Sequence, residues 1–85
     1  MSEELMERVQ RVQAKYSDVL MVKAHVQGIG VGLAKKGGQF TSQIALVVMV
    51  DRKLPESELA PDDILPEELD GIDVDVQEMG VFTAQ

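Results

Sequence analysis

The chain has 85 residues, enough for one small domain and too few for two independent cores. Hydrophobic residues make up 45% of it but aromatics only 4%, so the core must be aliphatic; the absence of cysteine excludes disulfides, thiolate metal sites and thiol nucleophiles. The net charge of -7 is uneven: residues 1–54 hold all 8 Lys and Arg against 5 acids, while residues 55–85 hold 10 acids and no base.

That acidic stretch repels nucleic acid, and the basic residues elsewhere form no stripe interleaved with stacking aromatics, so no nucleic-acid partner is expected. No apolar run approaches the roughly 20 residues of a membrane helix and the amino terminus is not a signal peptide, which leads us to expect a cytoplasmic protein without a membrane partner.

Leu5, Val9, Val12, Tyr16 and Val19 recur in steps of four and three, which predicts an amphipathic helix from about residue 3 to about residue 22. Glu3, Glu4 and Glu7 suit the positive end of its dipole, Ser2 can cap it, and Glu4 with Arg8 and Glu7 with Arg11 are supportive pairs. The stripe is too short for a coiled coil, so packing on a sheet is expected.

From about Ala24 to Leu33 the period becomes two, with Ile29, Val31 and Leu33 on one face and Gly28, Gly30 and Gly32 on the other. The apolar phase slips near Gln27 and Gly28, where a bulge fits. Lys35, Lys36, Gly37 and Gly38 then form a turn into Ile44–Val50, an unbroken aliphatic run that predicts a central strand buried on both faces. Pro55, Pro61 and Pro66 forbid a long helix thereafter; Leu54–Leu59 and Leu65–Leu69 each place Pro ahead of acids, which predicts short helical turns. Past Gly71, Ile72, Val74 and Val76 alternate with polar residues as a third strand with one wet face. The expected fold is a single α+β domain over residues 1–85, a long amino-terminal helix on a small three-stranded mixed sheet.

No cofactor, metal or catalytic residue is assigned. The glycines of Gly28–Gly32 lack the third glycine and following helix of a dinucleotide site and the Lys-Ser/Thr pair of a phosphate loop; they read as permitting close approach of another backbone or of the long helix. His25, the only histidine, has no serine in an elbow motif to activate, and reads as structural or solvated. Asp70, Asp73, Asp75 and Glu78 lack the spacing of a calcium loop, and Asp62-Asp63 and Glu67-Glu68 have a structural reason beside short-helix starts.

The series Val26–Gly32, Ala45–Val50, Lys53-Leu54-Pro55, Leu59, Pro61, Ile64–Pro66 and Asp70–Val76 resembles the amino-terminal region preceding the trypsin-like serine peptidase domain in a group of bacterial proteins. The likeness spans residues 24 to 82. In that group the catalytic residues lie downstream, so the resemblance implies a non-catalytic module and transfers no catalytic position here. The expected function is therefore an interaction or docking module, self-associating or contacting a trypsin-like peptidase domain, through Gly28, Gly30, Gly32, Val31 and Leu33 on the first strand. The alternatives are a small hydrolase using His25 and a plain monomeric folding unit.

Overall fold

The computed structural model describes residues 3–79. Helix α1 (Glu3–Met21) is followed by β1 (Val26–Lys36), β2 (Gln39–Val50), two 3-10 turns (Glu56–Glu58 and Pro61–Asp63), β3 (Glu68–Leu69) and β4 (Ile72–Glu78). The sheet is mixed, in the order β1-β2-β4-β3, with β1 and β3 antiparallel to their neighbours and β4 parallel to β2. The fold is α+β, with four strands where three were expected. The Ser2 cap lies outside the described residues.

β2 is central because its aliphatic run needs cover on both faces. Ile44 through Val48, and Val50, are all buried. Register places Ile29 and Val31 of β1, Leu46 and Val48 of β2, and Val74 and Val76 of β4 on one face, which α1 covers with Val9, Val12 and Leu20. The helix stripe differs from expectation at its end: Val19 is 57% exposed and Leu20 only 2%. At about 100° per residue, position 20 lies about 20° around the helix from Val9 and position 19 about 20° from Val12, so each is about 50° from the middle of the buried face. Helical period alone does not separate them, and packing on the sheet selects Leu20.

β1 runs three residues beyond the predicted end because only Gly37 and Gly38 form the turn. Both have positive φ, the requirement of a two-residue type I′ hairpin closed by Lys36 and Gln39. The bulge expected near Gln27 is present as a register shift between Val26 and Gly28. The short strand β3 replaces the helical turn predicted at Leu65–Leu69. There the pair Asp70 (φ 50) and Gly71 (φ 82) makes a second such hairpin, pairing Leu69 with Ile72. Pro66 therefore leads into extended chain rather than starting a helix.

This second turn is also where α1 is held. Lys15 Nζ and Tyr16 Oη donate to the two oxygens of the Asp70 carboxylate at 3.2 and 3.0 Å. The hydrogen bonds from Lys15 and then Tyr16 hold the Asp70 carboxyl below its ordinary value of 3.8, and the Asp70 bond raises Lys15 above 10.5. A depressed carboxyl stabilises the fold above its unfolded value and loses that contribution as pH falls through the folded one.

Leu20→Ala is expected to lower unfolding stability by about 2–5 kcal/mol and Val19→Ala to change it by no more than about 0.5 kcal/mol, both read from urea denaturation. Asp70→Asn should be less stable than the parent protein at neutral pH, with the gap closing as pH falls below the ordinary carboxylate range and closing again above the ordinary lysine value. Urea titrations across both limits would reveal a gap that stays constant if the contact were immaterial.

Candidate functional site

The glycine face of β1 is not an open surface. Gly30 pairs with Val47 and Val47 with Asp75, while Gly28 pairs with Met49 and Met49 with Gln77, so these side chains share the face opposite α1. Although β2 separates β1 from β4, Lys35 N donates to Asp75 Oδ2 at 2.8 Å and Gln77 Nε2 donates to the Leu33 carbonyl at 3.3 Å. These bonds bring the hairpin over that face, with the glycines on the side where larger side chains would crowd Val47 and Met49. Met49 and Val47 lie across them: a Cβ at Gly28 would stand 3.1 Å from Met49 Cε, at Gly32 3.3 Å from Val47 Cγ2, and at Gly30 3.8 Å from Met49 Cε. Val31 packs partly buried against the core, and Leu33 is 38% exposed.

The outer edge of β1 is engaged at both of its ends. Gln13 Nε2 of α1 donates to the Ile29 carbonyl at 3.1 Å, which shows that Ile29 points its backbone away from β2. By alternation Val31, Leu33 and Lys35 lie on the same side of the ladder, and the bonds of Gln77 and Asp75 close its far end. Side chains thus cap the two ends of this edge, while the N–H and C=O of Val31 between them have no hydrogen-bond partner among the described residues.

A different region combines an open edge with a cavity. On β4, Val74 N donates to the Glu67 carbonyl and Met79 N donates to the Val50 carbonyl. Odd positions therefore face β2 and even positions face outward. The outward N–H and C=O of Val76, and the N–H of Glu78, have no hydrogen-bond partner among the described residues. Beside this edge lies a cleft of about 300 Å³, floored by Val50, Val74 and Val76 and roofed by Leu54, Leu59, Ile64, Leu65 and Pro66. It exists because the three prolines keep residues 54–67 in short turns that cross the sheet without filling the space over β4. Asp63 Oδ1 accepts from Ala24 N at 2.9 Å, and Lys23 Nζ donates to the Asp62 carbonyl, fastening the roof to the end of α1.

His25 stands at one end of the cleft. Its φ of 72 is left-handed, and its carbonyl accepts from Asp51 N at 3.0 Å, extending the β1-β2 ladder. Its Nδ1 lies 2.9 Å from Asp51 Oδ1 and, as the protonated ring nitrogen, donates to that carboxylate, leaving Nε2 as the basic atom of the neutral ring. Sequence reasoning missed this pairing because 26 residues separate the partners. Alignment of β1 with β2 brings them together. No Ser, Thr or Tyr lines the cleft, so the pair has no hydroxyl nucleophile to activate there. Asp70, Asp73, Asp75 and Glu78 are individually engaged, with Tyr16 and Lys15, with Gln43, with Lys35 N, and with Lys53 N. Among the described residues no group of three or more potential metal ligands occurs, and no helix is long and apolar enough to cross a membrane.

No protein-family model matches the chain, and no curated protein matches it.

Gly30→Ala should leave the fold intact and raise stability by up to about 1 kcal/mol, because its Cβ meets only ordinary contact and the unfolded chain loses freedom. Gly71→Ala, by contrast, should cost about 1–2 kcal/mol, since φ is left-handed there and the Cβ would stand 3.0 Å from Arg8 Nη2. Urea midpoints of the two variants falling on the same side of the parent's would contradict this account.

Proposed function

We propose that the chain is a non-catalytic docking module that receives an extended segment of a partner polypeptide along the outer edge of β4. The supporting observation is the unpartnered N–H and C=O of Val76 directly beside a cleft with aliphatic floor and roof. Strand addition uses such an edge for affinity and a neighbouring pocket for specificity. Two to four backbone hydrogen bonds at about 1 kcal/mol each do not exceed an association cost of at least about 4 kcal/mol. A side chain entering the cleft, contributing about 1.5–3 kcal/mol, is what makes the contact persist. The contact surface thus moves from the glycine strand to β4, because Val47 and Met49 partly cover the glycine face, side chains cap both ends of the β1 edge, and only the β4 edge adjoins a cleft. A trypsin-like peptidase domain is one partner to present to this edge.

A second reading, general acid-base chemistry, draws support from the His25–Asp51 contact alone. It is tested by His25→Asn, which keeps a residue tolerant of left-handed φ: a hydrolytic activity of the purified protein that disappears in this variant would establish it.

The docking reading is tested with Val76→Pro, which deletes the outward N–H while sparing the bonds to β2. An alternating Thr-Leu peptide should bind the parent protein, slow exchange of the Val76 amide and bind the variant at least about tenfold more weakly. Amide-methylated peptide provides the same comparison on the folded parent. Binding that ignores both changes, or that perturbs β1 and leaves β4 untouched, would overturn the reading.

A further inference from the structure

Resting on the strand-addition reading, we propose the chemistry of the partner: a segment of a different polypeptide with a large aliphatic residue opposite Val76 and a Lys or Arg at the end that abuts β3. Directly paired residues in a sheet project to the same face. Val76 projects onto the floor of the cleft, so the residue opposite it enters the cleft and meets Leu54, Leu59, Ile64 and Leu65, where a large aliphatic side chain buries the most area, although charged groups such as Arg52, Lys53, Glu56 and Asp63 line the cleft as well.

The end of the added strand is fixed by β3. Glu67 already accepts from Val74 N, and Glu68 pairs with Asp73, so a strand added at Val76 must stop in line with β3, beside these two glutamates. Neither carboxylate has a partner among the described residues, and the same holds for Glu56 on the cleft wall. No Lys or Arg occurs from residue 55 onward to neutralise them. The nearer bases are Arg52 and Lys53, at the opposite end of β4, where Glu78 Oε1 accepts from Lys53 N at 2.8 Å. The edge and cleft form the seat, and the charge gradient along it selects a segment that is basic at the β3 end.

The same charges argue against a second copy as occupant. Pairing two β4 edges would bring together two segments of ten acids each and no base. A neighbour's β4 meeting β1 would have to displace the side-chain hydrogen bonds at Ile29 O, Leu33 O and Lys35 N, leaving only Val31 between them fully open.

The test uses capped Thr-Leu-Thr-Leu-Thr peptides bearing a single Lys, Gln or Glu at either end, titrated by fluorescence anisotropy. Both ends are sampled because strand direction decides which one meets Glu67. One Lys peptide should bind about threefold to tenfold more tightly than its Gln counterpart, the Glu peptide more weakly. The order should flatten in about 1 M salt and reverse in the Glu67→Lys/Glu68→Lys variant. Equal binding of all three would overturn the basic end while leaving strand addition standing. Equal binding after Leu→Ala in the peptide would overturn the aliphatic residue. Absence of binding by every peptide would overturn strand addition itself, and self-association that the Lys peptide displaces would make the occupant a second copy.

Discussion

The structure depends on one constraint: the aliphatic strand Ile44–Val50 must be shielded from water on both faces and hydrogen-bonded on both edges. A single helix can shield one face, and α1 does so with Val9, Val12 and Leu20. Among the described residues there is no second long helix for the other. The chain instead brings its own hairpin over it, an approach made possible by three glycines in alternation and held by Asp75 and Gln77 from across the sheet. The edges are filled by β1 through a tight turn and by β4 through a crossover, the only way two parallel strands can be joined.

The crossover accounts for the cleft. A crossover helix would have filled the space above β4 with side chains, but three prolines divide residues 54–67 into two 3-10 turns with extended links. Polar contacts from Ala24 and Lys23 hold this segment by its middle, and leucines and Ile64 reach down from it without meeting the floor everywhere. The carboxylates on the same segment follow from its exposure: they keep an apolar-lined opening in solution.

Much of this architecture was legible in the sequence, since periodicity encodes which side of an element is buried. The helix, the glycine-alternating strand with its bulge, the central strand and the strand at Ile72–Val76 all follow from spacing. Two features did not follow from the readings applied. β3 is two residues long, too short for any period, and only the Asp70-Gly71 turn marked it. Leu20 and Val19 both satisfied the helical pattern, and the choice lay in which of them packs into the core with the sheet. The proposed site was less legible still. Val76 was readable as a strand residue, but its unpartnered edge depends on where β3 stops, and the contact of His25 with Asp51 depends on register between distant segments. Such features belong to tertiary assembly rather than to any local stretch of chain.

The division of the chain into a neutral-to-basic part and an acidic, proline-broken part also bears on how the molecule assembles. β1 and β2 are joined by two residues and pair locally, whereas β4 reaches β2 only after the whole crossover is closed. Non-local pairing of this kind is slow relative to hairpin closure, so the outward edge of Ile44–Val50 stands bare during the interval. That stretch, uncharged and rich in β-branched residues, is the kind that recruits identical strands from other chains. The segment travelling with it carries ten carboxylates and three prolines and no base, a tethered source of repulsion between chains at the stage when the bare edge is exposed. Charges and prolines placed beside an aliphatic strand are the composition that disfavours pairing between chains, and in this chain they lie in the segment that ends with β4, the strand that covers the edge of β2.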